Sequence, residues 1–292
     1  MTVTASMVKE LRELTGLGML ECRNALVQMN GDKDKAIDLL RKSSALKAAK
    51  KADRTASEGL LGVKLAPDAS RGVIAEVNVE TDFAQKNPDF VAFVEAVVAA
   101  AFDRRANDVA TLLAGPLGNE RERLVQGIGE NVSVRRIASL DAPSGANGCV
   151  SAYLHTDKRK GALVALAGGD RDLAREIAMH VTASQPLVVE GRDMPADLLA
   201  KEREIFRAQA ADSGKPPEIV EKMVEGRVRK FLAEVSLVDQ PFVKDAEQRV
   251  GQLLKTRSAW CTGFVRFEVG EGIVKENKDF AAEVAAQVKG HA

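Results

Sequence analysis

One pattern constrains the fold more than any other, because it occurs twice. Residues 59–65 and 72–79 are short runs, apolar or alternating, separated by Pro67-Asp68-Ala69-Ser70. Such runs around a turn cluster predict a β-hairpin. A polar loop then leads into a helix over 88–101, with Phe90, Phe93, Val94 and Val97 on its inner face. A further helical stretch covers 108–127. Residues 131–140 return to strand, with Val132 and Val134 alternating against Ser133 and Arg135. About 90 residues on, the order repeats. Residues 149–155 and 162–167 read as strands around the turn Lys158-Arg159-Lys160-Gly161, a helix follows over 170–183, and a strand over 263–269 closes the unit. The expectation is an α+β fold with a duplicated core.

The rest of the chain is helical. Val8, Leu11 and Leu14 mark a first amphipathic helix, broken at Thr15-Gly16-Leu17-Gly18. A second carries Cys22, Ala25, Leu26 and Met29, and Asn30-Gly31 ends it, since glycine takes the left-handed cap conformation readily. A third starts at Asp32 and carries Ala36, Leu39 and Leu40. From Arg41 to Arg54 there are six basic residues and one acid, read as a solvated linker helix. The second core unit holds an insertion over 195–235: two helices joined by Asp212-Ser213-Gly214-Lys215-Pro216-Pro217. Val220, Val224, Val228, Phe231 and Val235 follow near-heptad spacing on the second helix. Such a hairpin would project about 20–30 Å at 1.5 Å per residue, with any surplus apolar face left for a partner or a second copy. After Gly270-Glu271-Gly272 a short amphipathic helix is expected over 280–288. The expected division is a helical module and linker (1–55), a core N-subdomain (56–142), a core C-subdomain (143–186 and 236–270), the inserted hairpin (187–235) and a C-terminal module (271–292).

Composition excludes several functions. Lys plus Arg and Asp plus Glu are each 42, so there is no surplus positive charge for a phosphate backbone, and aromatics are 4%, too few for base-stacking platforms. No nucleic-acid partner is expected. Cys22, Cys149 and Cys261 are far apart and form no CxxC, so neither a zinc site nor a disulfide frame is indicated. That suits a reducing cytoplasm. The first residues lack a secretory apolar region, and no run of about 18 apolar residues predicts a membrane span. No GxxxxGK[ST] loop, HExxH, GxSxG or kinase signature occurs, and His155, His180 and His291 are scattered. No cofactor, metal or covalent chemistry is expected.

One loop stands out. Thr81-Asp82-Phe83-Ala84-Gln85-Lys86 joins a buried-type strand to a helix for which Asn87 is a suitable N-cap and Pro88 a suitable first residue. The loop is thus pinned at both ends. Phe83 either folds back onto its own core or stands out as a wedge for a partner.

Six segments, in order along nearly the whole chain, resemble the elongation factor Ts family. They are LRELTGLGMLECRNAL (11–26), EVNVETDF (76–83), IGENVSVRR (128–136), HVTASQP (180–186), EKMVEGR (221–227) and FVRFEVGEG (264–272). The resemblance implies a ubiquitin-associated (UBA)-like three-helix domain, two core subdomains, a helical hairpin called the dimerisation or coiled-coil domain, and a C-terminal module. It also implies a function: binding elongation factor Tu with GDP and speeding release of the nucleotide. By the same resemblance, Thr81, Asp82 and Phe83 form the loop that enters the GTPase near its magnesium site. Ile128, Gly129 and His155 are further contacts, and Arg12, Met19 and Leu20 belong to the docking surface of the first domain. The hairpin is where a homodimer or heterotetramer would form. The chain departs from the family at Leu20, often methionine, at Ala84, often valine, and at Thr156-Asp157, where a glycine is usual. Two rival readings stand beside this one: a helical scaffold or adaptor using the UBA-like module, which leaves the 81–83 loop without a role, and an enzyme with an unrecognised site in the core.

Overall fold

The computed structural model describes residues 3–106, 108–144, 147–211 and 216–274. The tail helix expected over 280–288 and most of the hairpin joint, 212–215, lie outside them.

The N-terminal module is formed by α1 (Ala5–Thr15), α2 (Met19–Gln28) and α3 (Lys33–Lys51). Thr4 and Asp32 cap α1 and α3 by accepting backbone N–H groups. Val8, Leu11, Leu17, Cys22, Leu26, Ala36 and Leu40 fill the small core. Leu14, expected inside, is exposed, and Thr15 is buried in its place. Thr15 ends α1, so its hydroxyl turns back to donate to Leu11 O at 2.7 Å and lies against Cys22. The basic stretch is not solvated all round. It continues α3, and Ser44 and Ala48, one helical turn apart, are buried against the core.

In the first core unit β1 (Glu58–Leu65) and β3 (Val132–Asp141) flank β2 (Arg71–Val79), all antiparallel. In the second, β5 (Lys160–Ala167) lies between β4 (Cys149–Leu154) and β8 (Trp260–Glu268). The two sheets face each other through Leu61, Ile74, Leu163, Phe267 and Val269. A Cβ on Gly72 would lie 2.8 Å from Leu65 Cδ2 and 2.9 Å from Val150 Cγ1 of the other sheet, so a larger residue there would push these side chains aside. The outer face of the first sheet is covered by α4 (Pro88–Asp103), α5 (Val109–Leu113) and α6 (Pro116–Ile128). Every residue of β2 is buried, which fits a run that is mostly apolar, with Arg71, Glu76 and Asn78 the buried polar residues in it. The stretch expected as one helix over 108–127 is two, because Gly115 at φ 102° and Pro116 break it. The second sheet is covered by α7 (Arg171–Ser184) and α10 (Val250–Thr256).

The duplication shows in backbone detail. Each hairpin turn has a residue at positive φ, Ala69 at 59° and Lys158 at 55°. Ala69 O accepts from Val150 N on β4, and Lys158 O accepts from Leu61 N on β1, both at 2.7 Å. Each unit's turn therefore binds the first strand of the other. A buried carboxylate adds a second tie. Glu76 on β2 accepts from Arg135, from Arg136 and from Gly270 N just past β8.

The insertion is the antiparallel pair α8 (Ala196–Ala211) and α9 (Pro217–Val235). Ala210, Val224 and Val228 form its seam, with Phe206 edge-on to Phe231 at 6.1 Å. The two ends of the insertion are joined at its base by Leu187 N to Val235 O and Leu237 N to Val188 O. The small hairpin of β6 (Pro241–Phe242) and β7 (Asp245–Arg249), and α10, were not expected from the sequence. No helix of the described residues is long and apolar enough to cross a membrane.

Candidate functional site

The 81–86 loop is held by its ends and free at its apex. Thr81 donates through its N–H and its hydroxyl to the two carboxylate oxygens of Glu130, at 2.9 and 2.7 Å. Its hydroxyl oxygen in turn accepts from Ala84 N at 3.2 Å. Ala84 is buried and opens a single 3-10 turn, Ala84–Lys86. Beyond it Asn87 accepts from Asp89 N at 2.8 Å and Pro88 opens α4, as the sequence predicts. Between these anchors Phe83 is 80% exposed. It does not fold back onto the core. Asp82 is exposed beside it and pairs with Lys86 at 3.6 Å, and the same ammonium lies 5.9 Å from the Phe83 ring centroid.

Glu130 reaches Thr81 because α6 ends in a left-handed cap. Gly129, at φ 87°, donates to Val125 O at 3.0 Å and turns the chain towards the loop. Ile128 and Gly129 therefore lie next to the anchor of the exposed loop. Lys51 on α3 donates to Gly129 O, and Asn131 Nδ2 donates to Ala52 O and Arg54 O. Asn131 N donates to Glu80 Oε1 at 2.6 Å.

His155 sits in the β4–β5 turn, half exposed, with Nδ1 3.0 Å from Asp157 Oδ1. Burial opposes the charge on Asp157, but the Arg159 backbone N–H and the imidazole outweigh it and hold the carboxyl below its usual range. Asp157, where the family usually differs, thus orients His155. Arg159 in the same turn donates to Glu58 and, at 3.0 Å, to Gln85 Oε1. That bond joins the turn of the second unit to the loop of the first.

The module's predicted residues fall on two faces. Met19 and Leu20 are exposed at the start of α2, where with Val3, Ala5 and Val8 they line a shallow apolar groove. Arg12 lines a different feature, a cleft of about 570 Å³ between the module and the core, together with Gly16, Asn87 and Ile128. Glu130, Gln85 and Arg159 were not singled out from the sequence. Their partners lie tens of residues away in the chain, and no local spacing marks them.

His180 is buried at the hairpin base. Its Nε2 is 2.9 Å from Gln240 Oε1, and its Nδ1 accepts from Val243 N at 3.1 Å. These contacts fix the neutral ring. Burial lowers its pKa from 6.5, against the hydrogen bond to Gln240. Among the described residues no group of three or more His, Cys, Asp or Glu side chains is placed to hold a metal ion. The site is a protrusion with one aromatic and one carboxylate at its tip.

Residues 80–271 match the family model described as Elongation factor TS. The chain is 58% identical over 288 residues to the elongation factor Ts of Saccharophagus degradans, covering 99% of this chain and 98% of that one. It is 54% identical over 288 residues to that of Hahella chejuensis, covering 99% of each. It is 53% identical over 289 residues to that of Teredinibacter turnerae, covering 99% and 98%. With an exposed, doubly anchored loop in its duplicated core and full-length likeness to these proteins, the chain belongs to the elongation factor Ts family.

Proposed function

We propose that this protein is a guanine-nucleotide exchange factor that binds elongation factor Tu carrying GDP and promotes release of the nucleotide in the cytoplasm during translation elongation. The observation that carries this reading is Phe83, 80% exposed on a loop whose ends are fixed. A rigid exposed aromatic loses little conformational freedom on docking and makes an effective anchor. Asp82 beside it brings a negative charge. Placed near the magnesium site, the pair competes with the contacts that hold the cation, and losing the cation weakens the grip on the diphosphate. Ile128 and Gly129, next to the Glu130 anchor, and His155, in the turn that Arg159 joins to Gln85, supply further contacts. Met19 and Leu20 dock the N-terminal module on the GTPase, and Arg12 contributes from the separate cleft between module and core. No covalent bond changes, so the protein is not an enzyme in the covalent sense. The residue divisions 1–55, 56–142, 143–186 with 236–270, 187–235 and 271–292 are the corresponding functional units. The hairpin is the place for a homodimer or heterotetramer contact. An adaptor using only the module would leave the anchored loop idle.

The test is release of fluorescently labelled GDP from purified elongation factor Tu. Catalytic amounts of this protein are expected to accelerate it by orders of magnitude. No acceleration would overturn the reading.

A further inference from the structure

The N-terminal module touches the core almost wholly through α3, with the cleft lined by Arg12 and Ile128 open on one side. A second, smaller recess lined by Leu14, Ile37, Ser44 and Arg123 lies near the same joint. The far end of α3 is tied to the core by Lys51 to Gly129 O and by Asn131 to Ala52 O and Arg54 O, whereas α1 and α2 have little contact with it. One polar cluster ties α2 to the core and so fixes the angle of the module about α3. Gln126 on α6 donates from Nε2 to Glu21 Oε1 on α2 at 2.8 Å and accepts at Oε1 from the Ser44 hydroxyl on α3 at 2.5 Å. Lys47 on α3 donates to the same Glu21 oxygen at 2.6 Å. Burial disfavours the charge on Glu21, but the bonds from Lys47 and Gln126 outweigh it and keep the carboxyl below its usual range. Ser44 is 1% exposed, and its hydroxyl is shared between Gln126 Oε1 and Leu40 O, the latter at 2.9 Å. Both ends of the Gln126 amide are used, and each contacts a different helix of the module.

The chain positions of these residues matter. Glu21 directly follows Met19-Leu20, and Gln126 precedes Ile128-Gly129, whose next residue, Glu130, anchors the exposed loop. We propose that Gln126 is a positioning residue: with Glu21, Ser44 and Lys47 it forms a latch that fixes the angle between the module's docking face and the Phe83 loop, so that both meet one GTPase at once. The latch rests on the exchange reading for its purpose but not for its existence. Two linked docking surfaces gain effective concentration only when their geometry allows simultaneous engagement. A module that rocks spends part of its time in an incompetent orientation, and apparent affinity falls by the competent fraction. The loop itself is untouched, so the saturated rate should not change.

Gln126→Glu sets two carboxylates against each other, and the swap Glu21→Gln with Gln126→Glu restores a carboxylate–amide pair with Lys47 and Ser44 still able to donate. The first readout uses the free full-length protein, spin-labelled at Asn24→Cys and Glu95→Cys, two exposed positions, the native cysteines being buried. Gln126→Glu is expected to broaden the label–label distance distribution and the swap to narrow it again. The second readout is labelled GDP release. Gln126→Glu is expected to raise the half-saturating concentration about three- to tenfold at a maximal rate within about twofold of the parent, and the swap to reverse the rise. If the charge variant lowers the melting temperature, Gln126→Ala serves instead, with the same direction and smaller amplitude. An unchanged distance distribution overturns the latch. So does a rise in half-saturation that the swap does not reverse, or an equal loss in maximal rate. A parent protein that fails to release GDP overturns the exchange reading instead, while the label distances still decide the latch.

Discussion

The two core units use one plan and spend their connections differently. In the first, the link from the central strand to the covering helix is the 81–87 loop, with Phe83 exposed at its apex. In the second, the equivalent link is Gly168-Gly169-Asp170, both glycines at positive φ, and Asp170 directly caps α7. The first unit returns to its last strand through α5 and α6, whereas the second spreads the same return over the helical hairpin, β6, β7 and α10. The strands are near-equivalent scaffolding, and the two units differ in which connection is lengthened. A rigid sheet can carry such a change because loop length adds little to the cost of closure.

The largest expected effect lies where the units are joined. Glu76 has no exposed side-chain surface and answers two arginines and a backbone N–H. Glu76→Ala leaves both guanidinium groups short of their partner, and a loss of about 3–5 kcal/mol is expected in urea unfolding. A loss under about 1 kcal/mol would mean that the apolar faces and the turn-to-strand bonds hold the units without this carboxylate.

The short link should be structural where the long one is functional. A Cβ on Gly168 would lie 2.3 Å from Ser258 O on a backbone at φ 72°. Gly168→Ala is expected to lower stability by about 2 kcal/mol while the folded fraction keeps full exchange activity. Loss of activity without loss of stability would break the contrast.

A smaller effect separates the units by pH. His180 belongs to the second unit, and burial keeps its pKa below the ordinary 6.5. As pH falls, the unfolded chain takes up that proton first, so the contribution to stability is complete above pH 6.5 and declines below it. The thermal midpoint should fall with pH in that window, and His180→Gln should flatten the slope. Hydrogen exchange should place the loosening near Gln240 and Val243, not in the first sheet.

The smallest effect concerns His155. Asp157→Ala frees the imidazole and should raise the half-saturating concentration for exchange about two- to fivefold, in line with the modest worth of a half-exposed pair. Titration of the variant against labelled elongation factor Tu checks this.

Most of the scaffold was legible because it rests on local signals. The turn at Pro67-Asp68, the Asn87-Pro88 helix start and the run of β2 each carry their reason within a few residues. The exposed loop was legible as a loop, but whether Phe83 pointed in or out was not, since that depends on Glu130 holding Thr81 from 49 residues away. The linker was misread for a related reason. Ser44 and Ala48 carry too little apolar character to mark a buried face, and their burial comes from small side chains meeting α6 closely. The strand β6 is only two residues long and β7 is polar, and only the pairing of Pro241 with Arg249 and Phe242 with Asp245 defines them.

The central claim is that the long link of the first unit is the working part. It is tested most directly by stopped-flow release of labelled GDP from elongation factor Tu, comparing the parent with Phe83→Ala. The ring is exposed, so its loss should leave the thermal midpoint unchanged. Truncating an anchor of this kind costs about 2 kcal/mol, so a fall of about 30-fold in exchange efficiency is predicted. Exchange by Phe83→Ala equal to that of the parent would contradict the account.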